Sequence, residues 1–158
     1  MYRARAGRVQ NDQFDFPIFK SLEFDKEYGR YLMPAVLRRD SKLIFIEFSR
    51  LGRSNIYSSR EGLELIDQGN LKIIRAANGA RFLFVHYPDG KLRCATIKES
   101  TGVTLNLLYT SNGLALHGVV DSSGRSLTFN YGDEGIRSLT QTWSANLEGL
   151  TRTWAIGR

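Results

Sequence analysis

From Leu71 onward, apolar and polar residues alternate in short runs separated by turn residues. Leu-Asn-Leu and Leu-Thr-Phe are typical pieces of it. A period of two over six to eight residues predicts strands with one packed and one wet face. Strands are predicted over 71–76, 80–87, 91–98, 103–110, 114–120, 125–131, 136–143 and 150–155. Leu127, Phe129 and Tyr131 share one side of their strand; Val103, Leu105, Leu107 and Tyr109 share one side of theirs. The intervening residues carry turn chemistry: Asn78-Gly79, Pro88-Asp89-Gly90, Asn112-Gly113, Asp121-Ser-Ser-Gly124 and Asp133-Glu-Gly135. The expectation is an all-β fold, an antiparallel sheet of successive hairpins forming an open sheet or partial barrel, with little or no helix.

The first half is less regular. Phe14–Phe19 and Leu43–Phe48 have strand character, rich in Phe and Ile. Tyr28–Met33 reads as a strand that stops at Pro34. Ser58-Ser-Arg-Glu61 has capping-box spacing, but Gly62 inside the would-be helix shifts the reading to strand or loop. Residues 1–13 read as a flexible basic lead-in, 14–60 as non-repetitive strands and 61–158 as hairpin repeats, all within one domain of 158 residues.

The alternation is itself periodic. Gly79, Gly102, Gly124 and Gly149 each open an alternating run, spaced 23, 22 and 25 residues apart. Tyr87, Tyr109 and Tyr131 follow the first three, and Gly90, Gly113 and Gly135 come after each Tyr. A repeat of this length is one supersecondary unit that buries its apolar face only by stacking on its neighbours.

The stretch Asp121-Ser-Ser-Gly124-Arg125-Ser-Leu-Thr-Phe-Asn-Tyr131-Gly-Asp133-Glu-Gly135 resembles the Rhs/YD-repeat family, with Asp121, Gly124, Arg125 and Tyr131 on that family's positions. The second copy keeps Gly102, Tyr109 and Gly113, and the first keeps Gly79, Tyr87 and Gly90-Lys-Leu92. The resemblance covers roughly residues 60–158. It implies a hairpin scaffold of the kind that builds a β-shell around a C-terminal toxin or serves in adhesion. The chain departs from that pattern: it is too short to close such a shell and contains no Asp-Pro-x-Gly-Leu segment. The resemblance therefore implies a fragment or small relative, a non-catalytic structural or interaction module.

Composition adds limits. At 42% hydrophobic and 24% charged residues the chain is neither disordered nor a coiled coil. The longest uncharged stretch, Thr101–Val120, is broken by Asn, Ser, Gly and His and alternates like strands, so no membrane span is expected. The N-terminus has no apolar region after its arginines, so the chain is expected to be cytoplasmic as synthesised, compatible with export by a dedicated system. The single Cys94 forms no internal disulfide.

The net charge is +6, of which +5 falls in residues 1–60 (12 Lys/Arg against 7 Asp/Glu). Basic residues there are interleaved with acids, as in Asp25-Lys26-Glu27 and Arg39-Asp40. Nucleic-acid binding through this half is therefore the weakest of three readings. His86, His117 and Cys94 lack metal-motif spacing, so no metal is expected. Asp121 and Asp133 read as turn residues before a catalytic pair. Neither a Gly-x-Ser-x-Gly elbow nor a phosphate loop occurs. No catalytic residue, no cofactor and no enzymatic activity are expected. The binding candidates are Trp143 and Trp154, at the ends of two adjacent strands, as a platform for a carbohydrate or a protein; the alternative reading of both is as core residues or caps over the last sheet edge. Exposed sheet edges predict a protein partner or self-association.

Overall fold

The computed structural model describes residues 14–15, 21–110, 115–132, 135–143 and 151–155. Among them there is no helix, and fourteen strands run in chain order. They are β1 (Phe14–Asp15), β2 (Ser21–Asp25), β3 (Arg30–Leu37), β4 (Leu43–Arg50), β5 (Ile56–Ser58), β6 (Glu64–Gln68) and β7 (Leu71–Arg75). Then follow β8 (Arg81–His86), β9 (Leu92–Lys98), β10 (Thr104–Tyr109), β11 (Leu116–Asp121), β12 (Arg125–Gly132), β13 (Gly135–Trp143) and β14 (Thr151–Ala155). From β7 on, the strands coincide with the alternating runs to within two residues. The lead-in 1–13, residues 16–19 of the first Phe-rich run, the Asn112-Gly113 and Asp133-Glu134 turns and Gly149 lie outside the described residues.

The strands form one antiparallel sheet in the order β1-β3-β4 and onward to β14, with β2 pairing both β3 and β9. That double pairing closes β2 to β9 into an eight-stranded barrel. The non-repetitive half supplies β2 to β5 and the repeats supply β6 to β9. β10 to β14 continue from β9 as an arm beyond the barrel.

Alternation fills the barrel. In β4, Ile44, Ile46 and Phe48 point inward while Leu43, Phe45 and Glu47 point outward, half-exposed or more except where β-neighbours cover them. Phe48, Phe84, Ile46, Leu65, Ile74 and Cys94 are fully enclosed. An eight-stranded barrel has room for about this many side chains and little else. One end is closed by polar groups. Lys72, 7% exposed, donates from Nζ to Asp67 Oδ1 (2.6 Å) and to the Gly69 carbonyl. Tyr31 Oη donates to Asp67 Oδ2 at 3.0 Å, and its ring meets Tyr57 edge-on at 5.0 Å. A buried cation is tolerated here because a carboxylate faces it and two of its three proton donors are matched.

Two features differ from expectation. β3 does not stop at Pro34; it runs through to Leu37. On the edge of β3 away from β4, β2 pairs Arg30–Leu32 and β1 pairs Val36–Leu37. Pro34 sits in the gap between them, where its missing N–H breaks no described ladder. The Ser58–Glu61 segment is the end of β5 and a turn, as the glycine there suggested. Ser59 Oγ accepts from the Leu63 amide at 3.0 Å, and Gly62 takes φ 86°.

The 22-residue period has a structural counterpart. In β9 the partners of Phe84 and Leu83 are Cys94 and Thr96, so Ala95 is an extra residue. In β11 the partners of Tyr109 and Leu108 are Leu116 and Gly118, so His117 is the extra residue. Each is a β-bulge, which frees a local backbone group from the ladder. In each case the carbonyl just before the extra residue accepts a tyrosine hydroxyl from 15 residues later: Tyr109 Oη to Cys94 O at 2.8 Å, and Tyr131 Oη to Leu116 O. Tyr109 and Tyr131 thus tie their hairpins to the bulge of the one before, whereas Tyr87 makes no such bond among the described residues.

Candidate binding site at the barrel mouth

The barrel wall splits at the end opposite the Lys72 cluster. β9 pairs with β2 through Leu92 and Arg93, then with β10 through Thr96–Lys98. β3 passes from β2 to β1 in the same manner. Between the diverging walls lies a cavity of about 450 Å³. Its floor is Met33, Leu63, Phe82, Ile97 and Leu105, with Phe14 on one side. Met33, Leu63 and Ile97 belong to the buried core, so the cavity is continuous with the barrel interior.

Two small residues keep it open. Ala76 and Ala80 flank the β7–β8 turn, held by Ala76 N–H donating to Ala80 O at 2.9 Å. In that turn Gly79 has φ 94°, and a Cβ there would lie 3.7 Å from Ser100 Cβ on the neighbouring turn. Asn78 Oδ1 accepts the Ala80 amide at 2.9 Å, so its side chain shapes the turn. The rim is polar: Asn78, Ser100 and Thr101 lie beside three charged residues, Asp15, Arg38 and Glu99. Arg38 pairs with Asp15 (Nη2 to Oδ1, 2.8 Å). The Glu99 carboxylate has no ion-pair or hydrogen-bond partner among the described residues, so the lining charges leave one negative charge in excess. An apolar pocket with a few polar groups at its mouth is the usual form of a small-ligand site.

A second depression, about 520 Å³, lies outside the barrel over β4 and β5. It is lined by Phe45, 50% exposed, by Ser49 and Ser58, which pair across the strands, and by Glu47 and Glu61. Glu47 is tied to Arg30. Glu61 Oε1 is buried and lacks a hydrogen-bond partner among the described residues. A buried acceptor without a donor is costly and calls for one.

The residues singled out from the sequence fall elsewhere. Trp154 pairs with Leu139 on β13, and Trp143 pairs with Arg125 on β12, four positions along β13 from Leu139. The two tryptophans are therefore on adjacent strands, and their side chains lie outside what the structure describes. Cys94 is inside the barrel, and burial pushes its thiol up to about 12. His86 and His117 are exposed on β8 and β11, and no group of potential metal ligands forms among the described residues.

Asp121 is a turn residue. It accepts the Ser123 and Arg125 amides, the Ser123 hydroxyl and Arg125 Nε. Partial burial opposes its charge, yet these donors win and hold the carboxyl down to about 2. Asp67 is likewise lowered, with burial opposing and Lys72, the Gly69 amide and Tyr31 prevailing. Burial raises the Tyr109 hydroxyl. These shifts all arise from groups that close turns and hairpins.

Of the basic residues in the first sixty positions, Arg30 pairs with Asp25 and Glu47, Arg38 with Asp15, and Arg50 donates to the Ser54 and Arg53 carbonyls. No helix among the described residues is long and apolar enough to cross a membrane. The cavity itself was not legible in the sequence, since its lining comes from five separated segments; the alanines beside the Asn78-Gly79 turn were the only local trace of it. No family model, curated protein or solved structure matches the chain.

Proposed function

We propose that this chain is a non-catalytic structural and interaction module, a small hairpin-repeat scaffold of the Rhs/YD kind. The observation that carries this reading is the arm β10 to β14, which extends the sheet past a barrel that is already closed. Its apolar face is only partly covered: Leu127 and Phe129 are half-buried and Tyr131 is 41% exposed. A sheet continued to β14, whose outer edge has no partner among the described residues, offers both backbone pairing and an apolar face to a protein partner or a second copy. The bulge-and-tyrosine repeat supports the likeness to repeat scaffolds, since it gives successive hairpins one stacking rule. Sedimentation velocity over a wide concentration range tests the reading. Reversible, concentration-dependent association is expected; a strict monomer throughout, with truncation of β14 changing nothing, would count against it.

A second reading, a carbohydrate-binding β domain, is favoured by the outer groove. Phe45 offers an exposed ring, the serines offer hydroxyls, and Glu61 Oε1 offers a buried acceptor with no donor among the described residues. Titration with a panel of oligosaccharides, repeated on Phe45→Ala and Glu61→Gln, tests it. Absence of any binding by the parent chain, or binding that both variants retain in full, sinks it.

A further inference from the structure

We infer that the barrel-mouth cavity is a binding site for a small cationic amphiphile, one apolar chain or ring carrying an ammonium-type head. Three observations converge. The volume, about 450 Å³, falls within the range of small-molecule pockets. The floor, from Met33 across Phe82 to Ile97 and Leu105, presents only apolar side chains, so the inserted part of the ligand is apolar. The rim carries the neutralised Asp15–Arg38 pair and the Glu99 carboxylate, which has no ion-pair partner among the described residues. A head placed at the rim therefore meets lining side chains whose charges sum to minus one, on a chain that is positive overall. That local reversal selects a cation over an anion of the same shape, because an anion meets Glu99 without compensation.

The geometry also explains why the split exists. The interior of an eight-stranded barrel is filled by its own side chains or holds one small ligand. Here β1 and β10 enter where β2 ends, widening the mouth, and Ala76 and Ala80 leave space that larger residues would occupy. Occupancy of this cavity and pairing at the β14 edge use different parts of the molecule, so either can fail alone.

The test is calorimetric titration of the full chain with octylammonium, octanol and octanoate, all below their aggregation concentrations. Octylammonium is expected to bind tightest and octanoate weakest. Glu99→Gln should weaken octylammonium by about two- to fivefold and leave octanol unchanged, the scale of a solvent-exposed ion pair. Ala80→Phe should abolish binding of all three, and Ala76→Leu should do the same from the other side of the turn. Circular dichroism of each variant reports whether it folds. Methyl resonances of Ile97 and Leu105 in the parent chain provide a readout that needs no variant, and both should shift on octylammonium binding. Equal affinity for octanoate and octylammonium would overturn the charge assignment. Absence of binding by the parent chain, shifts confined to other methyls, or full binding by folded Ala80→Phe would overturn the site.

Discussion

Tyr109→Phe isolates the tie between hairpins. The substitution removes one oxygen and keeps the ring, which packs edge-on against Tyr87 at 4.9 Å. It deletes the hydroxyl that donates to Cys94 O at 2.8 Å, beside the extra residue Ala95. Cys94 is 0% exposed, so water cannot readily replace the lost donor. A buried acceptor stripped of its partner costs about 1–3 kcal/mol. We take the lower part of that range, about 1–2 kcal/mol, because a bulge leaves the backbone some freedom to adjust. For a domain of this size each kcal/mol moves the midpoint by about 2–4 °C, which gives a drop of roughly 2–8 °C. Thermal and urea unfolding followed by circular dichroism read both quantities. Tyr87→Phe is the internal control: Tyr87 occupies the same place in its repeat but makes no such hydroxyl bond among the described residues. It should stay within about 0.5 kcal/mol of the parent. If Tyr87→Phe costs as much as Tyr109→Phe, or Tyr109→Phe costs under about 0.3 kcal/mol, the tie is not what holds the repeats together.

Other substitutions probe the same framework. Gly118→Ala would set a Cβ 2.9 Å from the Leu127 carbonyl oxygen on β12, so the two strands must separate; a loss of about 1–3 kcal/mol is expected in urea denaturation. Asp121 has a folded value near 2 against about 3.9 in an unfolded chain, so its contribution is complete above about pH 4 and disappears as the pH falls toward 2. Asp121→Asn should flatten that acid limb, and stability curves that retain the parent's slope between those values would contradict it. Cys94, enclosed and with its thiol raised to about 12, should react with a thiol reagent only as fast as the barrel opens; prompt modification of the native protein would show that the interior is not closed.

The strands of the second half were legible because each boundary carries local chemistry. Asp89-Gly90 and Asp121-Ser-Ser-Gly124 turn the chain by hydrogen bonds within a few residues, and Gly90 and Gly124 sit at φ 82° and 93°. The alternation also chose faces correctly, placing Leu107 and Tyr109 together on the inner side. Barrel closure was not legible. It depends on Leu22 meeting Leu92, seventy positions apart, and nothing near either residue encodes that pairing. Pro34 misled because its effect depends on what lies beside β3, a tertiary property. The cavity escaped notice for the same reason: Met33, Phe82, Ile97 and Leu105 each look like ordinary core residues until the wall parts above them. Trp143 and Trp154 drew attention by residue type and by their place at the ends of two adjacent strands, and the described geometry adds only their strand register.

The pairing of β2 with β9 has a topological consequence. It consists of two register positions, Ser21 with Arg93 and Leu22 with Leu92, whereas β3 and β4 share seven. Apart from β1, which joins β3 beside β2, every other pairing in the sheet follows the chain order from β2 to β14. Releasing those two positions would therefore leave a single ribbon of hairpins with each remaining ladder intact. The closed cylinder is a ribbon fastened by a short clasp, and whatever tugs on Leu22 acts on the whole enclosure.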